Sequence, residues 1–256
     1  MKQNEYTLAA VALFAAAAVI MVIVAVTNRG DMTSATLVLG AVSSFIAGVF
    51  VLTFSKEEGL DTRFTSLLAV QGTLDIARIC ADLGIKGNAT MVPAAADTAG
   101  PSVMQVIPAS SYRPIESADG FSLQTGSDGS GVVIPPLGYP LLRLLEASSD
   151  LRLPGEEEEI LAAIREVCEE VLEVAETVEA SRAGDSIVVE LRGYRLIDGC
   201  AEVQKESQKP CTMCPCPICS LIACMLAKGT GQACTIEQAT ADKKSRTLRL
   251  ILSVVP

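Results

Sequence analysis

Cys211, Cys214, Cys216 and Cys219 stand within nine residues of one another, interleaved with Pro210, Pro215 and Pro217. Four soft thiolates at this density would hold a zinc ion or an iron–sulfur cluster, with Cys211 and Cys214 as one pair and Cys216 and Cys219 as the other. The single residue between the pairs strains a tetrahedron, and the intervening counts of two, one and two differ from the two, two and three of a bacterial ferredoxin run. A second reading takes Cys216-Pro217-Ile218-Cys219 as a dithiol at a helix N-terminus, where the helix dipole and free N–H groups lower a thiol pKa and permit disulfide exchange. A third takes Cys219 and Cys224, beside Ile218, Leu221, Ile222 and Met225, as small hydrophobes on a buried helix face. The pattern leaves all three open. Cys80, Cys168, Cys200 and Cys234 are isolated in sequence and read as core residues.

The chain contains no histidine. That removes Ser-His-Asp and Cys-His nucleophiles and every metal site that needs imidazole. The glycine-rich segment from Thr125 to Gly131 lacks the Gly-Lys-Ser/Thr step and the helix that a phosphate-binding loop needs, so it reads as a hairpin loop. Nine cysteines, odd in number and clustered, do not form a disulfide framework and favour a reducing compartment. A net charge of −10 repels phosphate backbones, so nucleic acid is not an expected partner.

The elements that must position the cysteines follow from periodicity. Pro217 to Lys228 is apolar at helical spacing, and Gly229 and Gly231 follow it as at a helix C-terminus. Strands are expected at Ala89 to Val92, Ser102 to Ile107, Val132 to Ile134, Ser186 to Leu191, Ala233 to Gln238 and Thr247 to Val255. Helices are expected over Leu60 to Leu83 and Leu137 to Ala147, with a helix or loop before Gln208. Glu156 to Glu159 open a long acidic helix near 156–180, where Ile160, Ile164, Val167, Val171, Val174 and Val178 alternate in steps of four and three as a heptad seam. The sum is an α+β (mixed α/β) domain over 60–256.

Ahead of it, Tyr6–Val26 and Ala35–Phe54 are uncharged runs of 21 and 20 residues, each long enough to cross a hydrocarbon core of about 30 Å. The short polar turn between them makes residues 1–55 an antiparallel transmembrane α-helical hairpin, an anchor in the lipid bilayer. Lys2, Lys56 and Arg63 against Arg29 place both ends and the domain on the cytoplasmic side of the plasma membrane. Gly40, Ser44 and Gly48 form a small-residue stripe on the second helix that meets Ala9, Ala12 and Ala16 of the first. The same stripe, or the acidic helix, is the surface through which a homodimer would form.

The order of elements from Ser186 to Val255, with Cys216-Pro217-Ile218-Cys219 and Gly229, resembles the vinyl-reductase-type small-molecule-binding domain of bacteria and archaea. That family usually carries a cysteine–glycine–cysteine pattern in its terminal hairpin, where this chain has Ala239 to Ser245. With Pro135-Pro136-Leu137-Gly138 ahead of a helix, the whole chain is similar to uncharacterised archaeal two-transmembrane membrane proteins of methanogens and halophiles. The resemblance implies an anchored, ligand-binding architecture and no activity. The expectation is a membrane-anchored cytoplasmic sensor or interaction domain, taking a small-molecule ligand and not an enzyme. Its alternative is a cysteine-cluster metal-binding or thiol-redox protein.

Overall fold

The computed structural model describes residues 5–27, 32–54, 61–94, 100–112, 122–124, 131–148 and 151–255. Two compact units divide at Leu60 and Asp61. The glycine-rich segment 125–130 lies outside the described residues.

The first unit is a pair of helices, α1 (Glu5–Thr27) and α2 (Met32–Phe54), packed on each other. Each is apolar and long enough to span a membrane. Their seam is one residue displaced from the expected stripe on α1. Ala10 and Ala17 are buried there, whereas Ala9, Ala12 and Ala16 face outward. On α2 the seam runs through Ala41 and Gly48, and Gly40 lies outside it with open space around its Cα. Gly48 is small because the Phe14 ring lies against it; a Cβ there would come within 2.9 Å of Phe14. Phe14 also tilts against Phe45, with ring centroids 5.4 Å apart. Small residues on α2 thus serve packing within the hairpin.

The second unit is an α+β domain. Two short helices come first, α3 (Thr62–Leu68) and α4 (Val70–Asp82), followed by strands β1 (Thr90–Pro93), β2 (Val103–Pro108), β3 (Ser122–Gln124) and β4 (Gly131–Ile134). Helices α5 (Tyr139–Ser148) and α6 (Glu157–Glu166) lead into the hairpin β5 (Thr177–Ala183) and β6 (Ser186–Arg192). Helices α7 (Ile197–Glu206), α8 (Lys209–Met213) and α9 (Pro217–Thr230) precede the closing hairpin β7 (Ala233–Asp242) and β8 (Thr247–Val255). The strands form one sheet in the order β3-β4-β2-β1-β7-β8-β6-β5, antiparallel at every described pairing.

The sheet alternates along β6 and β8. Ile187, Val189 and Leu191, with Leu248, Leu250 and Leu252, are buried, while Glu190 and Arg249 pair across the strands on the other face. Helix α9 lies on the buried face, and from Ile218 to Ala227 every residue is buried. Two close approaches hold neighbours against it. A Cβ at Gly138 would sit 2.3 Å from the Leu221 nitrogen, and the Gly138 N–H donates to Ser220 Oγ at 3.0 Å. Gly229 leaves room for the Ile160 side chain. Gly231, in the left-handed region at φ 67°, ends the helix.

The expected helix over Leu60 to Leu83 breaks at Ala69. Asp61 caps α3, its carboxylate accepting from the Arg63 N–H at 2.9 Å, and Gly84 at φ 76° follows α4.

The long acidic helix near 156–180 is corrected. It is helical only to Glu166, widens into a π turn over Val167–Val171, and has become β5 by Thr177. The Leu172 N–H reaches back five residues to the Val167 carbonyl, and Glu173 takes a left-handed conformation at φ 47° that ends the helical course. Glu169 then accepts the Val178 N–H, tying the turn to the strand. Ile160, Ile164 and Val167 are buried in the domain's own core, so the heptad seam proposed for dimerisation is not an exposed helical surface.

Arg182 on β5 grips Glu157 on α6 with two bonds of 2.7 Å. That hydrogen bond holds the Glu157 carboxyl below the usual carboxylate range, against the opposing effect of burial. A lowered folded-state pKa contributes stability above the unfolded value, about pH 4.3, that is lost as pH falls through the folded value. Glu157→Gln is therefore expected to lower stability modestly at neutral pH, where the charged pair contributes, and to converge with the unsubstituted chain as pH falls below about 4.3, as followed by thermal melts.

Candidate functional site: a thiol-lined apolar cavity

Helix α9 begins where the chain must turn sharply. Helix α8 stops at Met213, Cys214 takes φ −132°, and Pro215 and Pro217 fix the entry so that Cys216 becomes the N-cap of α9 with Pro217 in its first turn. At this end of α9, helices α3, α4 and α7 enclose a cavity of about 310 Å³, closed from the sheet side by Ala239 and Leu248. Gly199 on α7 allows α3 to come in: a Cβ there would lie 2.0 Å from the Ser66 carbonyl oxygen. The walls are mostly carbon, from Leu68, Val70, Leu196, Val203 and Ile218, and sulfur.

Four sulfurs line it, those of Cys200, Cys211, Cys216 and Cys219. The expected tetrad is thus divided. Cys211, Cys216 and Cys219 share the cavity, whereas Cys214 is fully buried outside the lining and feels Cys80. The turn between α8 and α9 separates it from the others. Cys200, which sequence separation places in the core, takes the fourth position. Among the described residues no three Cys, Asp or Glu side chains are disposed to share a metal ion. The zinc or iron–sulfur site expected at Cys211, Cys214, Cys216 and Cys219 is therefore not assembled as one ligand set.

The sulfurs interact closely nonetheless. The Sγ atoms of Cys216 and Cys219 are 3.4 Å apart. The Cys216 thiol is pulled well below its ordinary pKa by hydrogen bonding with Cys200, then with Cys219, with the Cys219 and Ile218 N–H groups adding to them against the effect of burial. Cys200 and Cys219 are pushed up, first by their hydrogen bonds to Cys216 and then by burial. Burial first, and the proximity of Cys216 second, lift Cys211 to about 12, against a hydrogen bond with Gln204 that lowers it. Cys214 and Cys224 also rise to about 12 through burial, and both fit the reading of inert packed cysteines.

Several polar side chains interrupt the apolar wall, among them Tyr194 and Thr73. Tyr194 is buried, which raises its phenol pKa. Thr73 on α4 is 1% exposed and its hydroxyl has no hydrogen-bond partner among the described residues. An orphaned hydroxyl in an apolar setting carries a desolvation cost of about 1–3 kcal/mol that a ligand acceptor would offset. No local pattern around Thr73 distinguishes it in the sequence, because its role depends on the cavity.

A family model described as a domain of unknown function (DUF7982) matches residues 1–251. No curated protein and no solved structure matches the chain.

Proposed function

The chain belongs to the DUF7982 family, matched over both units, and from that premise we propose that it is a membrane-anchored cytoplasmic domain that binds a small apolar molecule. The observation that carries this reading is the cavity of about 310 Å³ at the N-terminus of α9. Its size falls in the range of about 300–1,000 Å³ used by small-molecule sites, and a few convergent polar groups in an apolar wall are what such sites use to orient a ligand. The anchor supports delivery from a lipid phase: α1 and α2 carry no charge between Tyr6 and Val26 or between Ala35 and Phe54, so they tether rather than conduct. The cytoplasmic side is supported by the excess of Lys2, Lys56 and Arg63 over Arg29 and by nine free cysteines. With no histidine and one reactive thiol cluster, the domain is suited to sensing or interaction more than to turnover.

Binding is tested in the full chain, reconstituted in lipid nanodiscs with isoleucine methyl labels and titrated with octan-3-one. The Ile218 methyl, on the cavity wall, is expected to shift saturably while Ile251, on the outer sheet face, does not. Val203→Phe should fill the cavity and weaken binding at least ~10-fold, the loss of about 1.4 kcal/mol. An unsaturable Ile218 response, or one unchanged in the variant, would remove the reading.

A second reading is thiol redox at Cys216 and Cys219, favoured by the 3.4 Å separation of their sulfurs at a helix N-terminus. Oxidised glutathione should then yield a single disulfide joining those two cysteines, found by peptide mapping. A mixed population across the nine thiols would count against it.

A further inference from the structure

We propose that the cavity is a covalent capture site for apolar α,β-unsaturated carbonyl compounds, with Cys216 as the nucleophile and the Thr73 hydroxyl as the donor that holds the carbonyl oxygen. This rests on the ligand-binding reading above and identifies the chemical class of the ligand.

Three independent features meet in the same cavity. The first is its apolar wall, which selects an uncharged molecule with a hydrocarbon body. The second is Thr73, fully enclosed and with an unpartnered hydroxyl among the described residues. A buried donor of this kind asks for an acceptor oxygen on the ligand. The third is the sulfur cluster at the first turn of α9, where Cys216 is the N-cap, its Sγ lies 3.4 Å from that of Cys219, and Cys200 lines the same cavity. A thiolate held in a carbon-lined cavity is a soft nucleophile, and its natural partner is a soft, polarised carbon. A saturated ketone would satisfy the first two features and leave the third without a role.

The addition balances within the cluster. The Cys216 sulfur forms a bond to the β carbon of the enone, and the carbon–carbon π pair moves toward the carbonyl, whose oxygen accepts from Thr73 Oγ1. The proton on Cys200 Sγ passes to the α carbon, directly or through Cys219. The product is a thioether on Cys216, a saturated ketone, and a thiolate on the donor cysteine. No electrons are gained or lost overall, and the single negative charge of the cluster moves from one sulfur to another. Cys200 thereby acts as general acid, and its raised pKa keeps it protonated until the step.

The test uses the full chain in nanodiscs and oct-1-en-3-one as probe. Intact mass followed by proteolytic mapping is expected to show one adduct, on Cys216, formed at least ~10-fold faster than on glutathione at the same pH, a difference of about 1.4 kcal/mol in barrier. Cys216→Ser should give no adduct. Thr73→Val should slow enone addition about tenfold while leaving the reaction of Cys216 with 2,2′-dipyridyl disulfide, which has no carbonyl to hold, unchanged. That second reagent separates a role for the hydroxyl from a general loss of structure. Adduct on another cysteine, no adduct, or equal slowing of both reagents in Thr73→Val would overturn the proposal. If the Ile218 methyl responds to octan-3-one but oct-1-en-3-one leaves no adduct, covalent capture fails and the binding reading stands; if neither occurs, both fail.

Discussion

Ile222→Ala is expected to lower the stability of the second unit by about 2–5 kcal/mol, which at about 2–4 °C per kcal/mol moves the melting midpoint down by about 4–20 °C. Ile222 is fully buried in the middle of α9, the helix that contacts β1, β2, β7 and β8 on one side and α5 and α6 on others. Its side chain therefore has no route to solvent, and truncation leaves a cavity that the surrounding backbone can collapse only in part. The same reasoning sets the control. Ile251, on β8 but only half-buried, should lose far less on truncation, because water already reaches it. Calorimetry of the two variants side by side measures the difference. Equal shifts would mean that α9 is not the center of the core.

Gly199→Val is expected to have the largest effect on ligand binding while leaving the sheet intact. Its Cβ position is 2.0 Å from the Ser66 carbonyl oxygen, and both groups are backbone or fixed to it, so neither can swing aside. Helix α3 must then lift from α7, at a cost of about 1–3 kcal/mol or more, and the cavity loses the wall formed by Thr65, Ser66 and Leu68. Faster hydrogen exchange confined to 62–68, together with loss of the saturable Ile218 response to octan-3-one, is the expected pair of results. Gly72→Ala, in α4 with nothing within 4 Å of a new Cβ, should instead gain roughly 0.5–1 kcal/mol of helix stability and bind normally. Unperturbed binding in Gly199→Val would show that α3 is not needed to close the site.

The parts of the fold with one dominant local signal are legible in sequence. Thr247 to Val255 alternates cleanly and is β8 over that same span, and Pro217 with Gly231 brackets α9 at both ends. The two N-terminal helices are legible for the same reason, since uninterrupted apolar runs of that length have few alternatives. The failure at 156–180 came from reading one period too far. Valine is at home in both a helix seam and a strand, so Val174 and Val178 continued the pattern by coincidence. The competing signal was Gly184-Asp185, a two-residue hairpin turn between Ala183 and Ser186 with Gly184 at φ 63°. It demands a strand on both sides and outranks the helical periodicity.

The cavity was only half legible. The Cys-Pro-Ile-Cys element marks the end of α9 and draws attention to Cys216 and Cys219, but nothing near Cys200 announces that α7 will bring it alongside them. The exclusion of Cys214 was equally hidden, because spacing along a chain does not specify which side of a proline-rich turn each side chain takes. Thr73 becomes noticeable only as a hydroxyl with nothing to bond, a property of its surroundings and not of its neighbours in sequence.

The burial of α9 also bears on how the protein is made. Together with α8 it forms a third apolar stretch, Lys209–Thr230, 22 residues long and apolar enough to cross a bilayer. During synthesis this stretch emerges before β7 and β8, the hairpin that covers it. Were α1 and α2 inserted during synthesis, this stretch would be a third candidate for the insertion machinery. The prolines at 215 and 217, which divide the stretch into α8 and α9, shorten the continuous helix it can offer and favour retention on the side where the rest of the domain folds. The turn that builds the thiol site is, on this view, also a stop against misinsertion. Removing both prolines should produce a fraction of chains with β7 and β8 translocated to the opposite side of the membrane.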